Sequence, residues 1–173
     1  QILQSNKKVY GVNTGFGKLS NVSISSNDIK DLQLNLVRSH ACGVGKTLDL
    51  GVTRVSMVLK LMTWAKGYSG IRLVLAKLLV DMLNHDILPL MPRQGSVGAS
   101  GDLAPLAHLS LPLLGVGKVV VDGKEVETKS IMKVNKWKAI SLQSKEGLAL
   151  LNGTQFMGAY GVWSLLKAQK ISY

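Results

Sequence analysis

The chain has 173 residues, 46% hydrophobic and 18% charged, a balance that excludes a disordered polypeptide and fits one domain or part of a larger one. Its formal net charge of +11 raises nucleic acid as a partner, but the charge rests on 17 lysines and only 4 arginines, scattered along the chain, which favours solvated faces over a base-reading surface. The single cysteine, Cys42, excludes an internal disulfide framework and is expected as a small buried hydrophobe rather than a nucleophile.

No basic-then-apolar leader opens the sequence. The most apolar stretch, 71–90, is interrupted by Arg72, Lys77, Asp81, His85 and Asp86 and does not read as a membrane span. A cytoplasmic location with no membrane partner is the default expectation. The chain starts without Met and stops inside a helical run, as expected of a piece of a longer polypeptide.

Residues 1–25 read as loop-rich, with Val9 and Tyr10 as a short extended piece before the glycine-punctuated run 11–17. A first helix is expected from Ser26-Asn27-Asp28, where Ser and Asn are good caps and Asp suits the first turn, to about Gly43-Val44-Gly45. Its apolar stripe is Ile29, Leu32, Leu36 and Val37. A second helix is expected over about 53–66, closed by Gly67, and a third from Ser69. Both are apolar over so much of their circumference that they belong inside a large assembly. Pro89 and Pro92 break the pattern and open a glycine-rich loop, after which a helix capped by Asp102 is expected, with Pro105 tolerated in its first turn. Val119-Val120-Val121, Asp122-Gly123 and Lys124-Glu125-Val126 read as a hairpin near 118–127 with a tight Asp-Gly turn, and the rest returns to helix. The fold class is mainly α.

Gly43-Val44-Gly45-Lys46-Thr47 resembles the end of a phosphate-binding loop, but position 40 is His where that motif needs Gly, and no strand is expected upstream. His40, His85 and His108 lack helical metal-ligand spacing, so no metal site is expected.

Ala99-Ser100-Gly101 meets a more specific demand. If the Gly101 nitrogen attacks the Ala99 carbonyl carbon, a five-membered ring closes, and only residues of little bulk allow that compressed backbone. Loss of the Ser100 hydroxyl as water leaves an exocyclic methylidene, and dehydration of the ring completes a conjugated imidazolone, a carbon electrophile. A helix starting near Asp102 would place positive potential beside it. Taken alone, the triplet is a weak signal, and an ordinary turn before a helix is the favoured reading.

Four segments carry a resemblance: 10–17 (Tyr-Gly-Val-Asn-Thr-Gly-Phe-Gly), 36–45 (Leu-Val-Arg-Ser-His-Ala-Cys-Gly-Val-Gly), 95–109 around the triplet, and 145–155 (Lys-Glu-Gly-Leu-Ala-Leu-Leu-Asn-Gly-Thr-Gln). In this order they resemble the aromatic amino-acid ammonia-lyase family over nearly the whole chain. The resemblance implies a helical ammonia-lyase-like N-terminal portion in which residues 1–173 form a single partial catalytic domain, lacking the family's C-terminal helical region and too incomplete to work alone. It implies that Ala99, Ser100 and Gly101 form the methylidene-imidazolone autocatalytically, without metal or external cofactor. It assigns Tyr10 as the base for the β-proton, His40 as a substrate-site histidine, Asn152 as the contact to the cofactor and substrate amine, and Asp102 as a support for ring formation. Cys42, Gln155 and His108 lie in matching segments and are assigned no chemistry.

Phenylalanine-acting members resemble Phe-Leu at positions 39–40 and tyrosine-acting members His-Leu. Ser39-His40 is the pairing of members acting on histidine, and polar groups suit a buried imidazole. The expected reaction is non-oxidative elimination of ammonia from L-histidine to trans-urocanate by a homotetramer, with no nucleic-acid partner. The alternatives are a tyrosine or phenylalanine ammonia-lyase or aminomutase and, in another class, a basic helical binding module with an uncyclised loop.

Overall fold

The computed structural model describes residues 8–15, 17–19, 22, 24–25, 28–99 and 101–171. Ser100 of the triplet, and the cap candidates Ser26 and Asn27, lie outside the described residues. Seven helices and five short strands follow in chain order among them: α1 (Ile29–His40), β1 (Val44–Thr47), α2 (Leu50–Ala65), α3 (Leu73–Asn84), β2 (Leu88–Pro89), β3 (Pro92–Gln94), α4 (Leu103–Ser110), β4 (Lys118–Val121), β5 (Lys124–Glu127), α5 (Thr128–Val134), α6 (Glu146–Leu151) and α7 (Gln155–Ile171). Short 3-10 turns occupy Gly17–Leu19 and Leu111–Leu114.

The mainly helical expectation holds. The expected hairpin is β4–β5, turned by Asp122 and Gly123 at φ 50° and 75°, the left-handed pair of a tight hairpin turn. β2 extends this hairpin to three antiparallel strands through Leu88↔Val120 and Pro89↔Val119. A separate pair, β1 with β3, was not anticipated: α1 ends at His40 rather than running to Gly45, and Val44–Thr47 pairs antiparallel with Pro92–Gln94. Pro89 and Pro92 therefore sit in short strands, where proline needs only to avoid the donating side of a ladder. The strand at 44–47 also removes the phosphate-loop reading, which requires a loop leading into a helix. Val9 and Tyr10 lead into a turn over 10–13, in which Val12 and Asn13 N–H both donate to the Val9 carbonyl.

α4 is the buried centre. Ala104, Pro105, Leu106, Ala107, Leu109 and Ser110 are all shielded from solvent, which brings the end of the triplet loop into the core. α1, α6 and α7 pack against α4, and α2 packs along α7. Two close approaches shape the α2–α7 packing and that of α1 on α6. A Cβ on Gly51 would lie 2.2 Å from the Trp163 ring, and one on Gly147 would lie 2.9 Å from the Gln33 carbonyl oxygen.

An ion pair fixes the entry to α6. The Glu146 carboxylate, itself buried, accepts Arg72 Nε at 2.8 Å, Arg72 Nη2 at 2.7 Å, and the main-chain N–H groups of Arg72 at 3.1 Å and Gln143 at 2.7 Å. Burial alone pushes this carboxyl up. The Arg72 guanidinium and the two main-chain donors outweigh it and hold Glu146 below the usual carboxylate range. Apolar side chains remain on the outside of the helices, including Met62, Leu73, Leu165 and Ile171, in keeping with helices expected to pack inside something larger.

Candidate active site

α1, α4 and α6 bring their ends to one place. An open cavity of about 460 Å³ is lined by Tyr10 from the N-terminal turn, Ser39, His40 and Cys42 at the end of α1, Ala99 and Gly101 before α4, and Asn152 after α6. Leu103, Ala104 and Leu148 supply apolar wall. Residues separated by up to 142 positions in the chain thus meet at one cavity (Tyr10 to Asn152). Asp102 is buried and is not among the lining residues.

Each wall has a local cause. The turn carrying Tyr10 is tied down by the Asn13 side chain, which accepts the Val9 N–H at 2.8 Å, and by Ser144, whose hydroxyl donates to the Val12 carbonyl at 2.5 Å. In the last turn of α1, His40 Nδ1 and the Ser39 hydroxyl lie 2.8 and 3.1 Å from the Leu36 carbonyl. A carbonyl can only accept, so His40 carries a proton on Nδ1, and in the neutral tautomer this fixes, Nε2 is the acceptor.

Cys42 is exposed at this cavity, which corrects the expectation of a buried hydrophobe: α1 stops before it, and the chain leaves the core there. Beneath it the Gly43 N–H donates to His108 Nε2 at 3.0 Å. Burial pushes the His108 imidazole below its ordinary value, which keeps Nε2 free to accept. A Cβ on Gly43 would meet that nitrogen at 3.0 Å, so glycine is needed for α4 and the α1 exit to approach this closely.

Asp102 departs from its expected role as cap of its own helix. It precedes α4, but its side chain makes no capping bond there. The carboxylate instead accepts the Ser96 hydroxyl at 2.8 Å and the Met157 N–H, in the first turn of α7, at 3.0 Å. Its own N–H donates to the Gly153 carbonyl at 2.8 Å. Gly101, next to it, faces Asn152 so closely that a Cβ would lie 3.0 Å from Asn152 Oδ1.

Lys60 was missed in the sequence. It lies on the buried stripe of α2 with Thr53, Ser56, Met57 and Trp64, a three-and-four spacing that could have flagged it. Its ammonium is buried and donates to the Asn152 main-chain carbonyl at 2.9 Å. Desolvation pushes its pKa down to about 7. Among the described residues, no cluster of three or more His, Cys, Asp or Glu could hold a metal ion, and no helix is long and apolar enough to cross a membrane.

The sequence and the fold belong to a known class. The family model described as aromatic amino acid lyase matches residues 1–173, and the chain belongs to that family. Among curated relatives, histidine ammonia-lyase of Shouchella clausii (strain KSM-K16) is 49% identical over the whole chain and 35% of its own length. Histidine ammonia-lyase of Staphylococcus aureus (strain MRSA252) is 46% identical over the whole chain and 34% of its own length. The chain therefore spans about a third of the length of the curated relatives it matches. Among solved structures, histidine ammonia-lyase from Trypanosoma cruzi superposes with a TM-score of 0.88 at 37% identity, over 98% of this chain and 33% of that one. Tyrosine aminomutase from Streptomyces globisporus gives 0.85 at 38% identity, over 92% and 30%.

Proposed function

We propose that the protein containing this chain is a histidine ammonia-lyase, eliminating ammonia from L-histidine to give trans-urocanate. The observation that carries the reading is the single cavity shared by Tyr10, His40, Ala99, Gly101 and Asn152 in a chain of the aromatic amino acid lyase family. The close approach of Gly101 to Asn152, and the left-handed φ of +63° at Gly98, support a compact loop that fits a ring formed from Ala99, Ser100 and Gly101. Such a methylidene-imidazolone supplies an electrophile that turns the substrate amine into a better leaving group.

The chain's own residues then have distinct tasks. Tyr10 removes the β-proton through its phenolic oxygen. His40 Nε2 accepts the N–H of a substrate imidazole, a role supported by its Nδ1 being committed to Leu36. Ser39, whose hydroxyl is turned to the same carbonyl, supports His40 from the α1 side. Asn152 orients the amine beside Gly101. Asp102 holds the segment after the triplet. The N-terminus of α4, starting at Leu103, adds positive potential at the triplet. The exposed apolar side chains support a larger, homotetrameric assembly in which further parts of the polypeptide complete the site; a cytoplasmic location accompanies this reading.

The experiment is the near-ultraviolet absorbance of urocanate formed by the full-length protein from L-histidine. Ser100→Ala is expected to abolish it; full activity in that variant would sink the assignment. A second reading, tyrosine ammonia-lyase or aminomutase chemistry, draws on the 38% identity to a tyrosine aminomutase, and a substrate panel decides between the two.

A further inference from the structure

The segment Asn152-Gly153 is gripped from two directions. The Gly153 carbonyl accepts the Asp102 N–H at 2.8 Å, which ties it to the residue following the triplet. The Asn152 carbonyl accepts the Lys60 ammonium at 2.9 Å. Between these bonds the Asn152 side chain is set against Gly101. α6 ends at Leu151, and Asn152 itself is extended (φ −81°, ψ 142°), so the helix no longer fixes its side-chain direction. Among the described residues, Lys60 has no carboxylate within ion-pair distance; the Trp64 ring, 5.7 Å away, is its other polarisable neighbour. A fully buried ammonium without a counter-charge costs stability, and replacing it with an apolar group of similar volume is neutral or stabilising. Packing therefore gives no reason for a lysine at this position.

We propose that Lys60 is a positioning residue for the lyase reaction: by holding the Asn152 main-chain carbonyl, it sets the Asn152 side chain against the Gly101 end of the triplet. This rests on the function proposed above. The amine donates to that carbonyl in either protonation state, so the contact survives across neutral pH even though desolvation lowers the Lys60 pKa to about 7.

The test uses the full-length protein with Lys60→Met, Lys60→Arg, Asn152→Ala and the double variants. Intact mass reads the fraction of chains that have lost two waters, and urocanate absorbance reads kcat per cyclised chain. Lys60→Met is expected to keep or raise the thermal midpoint while lowering the cyclised fraction, or kcat per cyclised chain, by about tenfold or more, the scale of a charge-assisted hydrogen bond. Combined with Asn152→Ala it is expected to add nothing further, because both changes act through one side chain. The cycle is read on the cyclised fraction where turnover is too low. Should Lys60→Met not fold, Lys60→Arg carries the test: it keeps a buried cation but moves the donor, and is expected to give a smaller loss that likewise vanishes beside Asn152→Ala.

Lys60 variants within twofold of wild type, or effects that multiply with Asn152→Ala, overturn the positioning role. A wild-type protein that makes no urocanate overturns the proposed function instead, so the two failures are told apart.

Discussion

The Asp102 carboxylate accepts the Met157 N–H at 3.0 Å, so the residue that follows the triplet caps the start of α7, 55 positions away, rather than the helix it begins. The first N–H groups of any helix lack partners within it and carry its positive end, so a buried carboxylate there satisfies both needs. The same side chain takes the Ser96 hydroxyl, binding the near side of the triplet loop to the base of α7.

Asp102→Ala removes both bonds and leaves two half-buried donors without their acceptor. The expected cost is about 2–4 kcal/mol in chemical denaturation, with Asp102→Asn, which keeps one acceptor oxygen, closer to about 1 kcal/mol. Equal effects of the two substitutions would mean that the carboxylate contributes only its volume.

Glu146→Gln leaves Arg72 against a neutral amide and is expected to cost about 1–3 kcal/mol, the scale of losing charge-assisted hydrogen bonds, because the guanidinium left behind is 37% exposed and regains water. The pH dependence follows from the direction of the shift. A carboxyl held lower in the fold than in the unfolded chain contributes stability above the unfolded value of about 4.3, and that contribution is lost as pH falls through the folded value. Thermal midpoints recorded downward from pH 6 should therefore fall less steeply in the variant than in wild type.

His108 acts in the same direction, over a higher pH range. Its imidazole is lowered in the fold, so below the ordinary value of about 6.5 the unfolded chain takes up a proton that the folded chain refuses. Stability from this residue is complete above that pH and declines below it, as the bond from the Gly43 N–H to Nε2 is threatened. An NMR titration of the His108 ring should give a midpoint below the ordinary histidine value of about 6.5; a midpoint at or above it would contradict the buried acceptor role.

What could be read from the sequence depended on the range of the interaction that decides each feature. α2, α3 and the β4–β5 hairpin follow from local spacing and an Asp-Gly turn, and were legible. The triplet and its companions Tyr10, His40 and Asn152 were legible as segments, although only folding brings Ala99, Gly101 and those companions to one cavity. The β1–β3 pair was not, because Val44 finds Gln94 across 50 positions and neither strand alternates apolar with polar residues. Lys60 was hidden because a lysine among apolar neighbours reads as a side chain reaching for solvent, and its partner lies 92 positions on. Asp102 illustrates the same limit: its residue type suggested a local cap, and tertiary structure offered it a better one.

Glycine substitutions on two helices should give opposite signs. A Cβ on Gly51, in α2, would lie 2.2 Å from the Trp163 ring, which fills the space that only glycine leaves. Gly51→Ala therefore forces the indole outward and loosens the α2–α7 packing, at an expected cost of about 1–3 kcal/mol. A Cβ on Gly161, in α7, meets nothing within 4 Å, and the residue is exposed. There alanine gains the ordinary helix preference over glycine, about 0.5–1 kcal/mol, with no clash to offset it. The two thermal midpoints should move apart, Gly51→Ala down and Gly161→Ala up. A rise in both would show that Trp163 yields at no cost and that α7 is held by contacts other than this one.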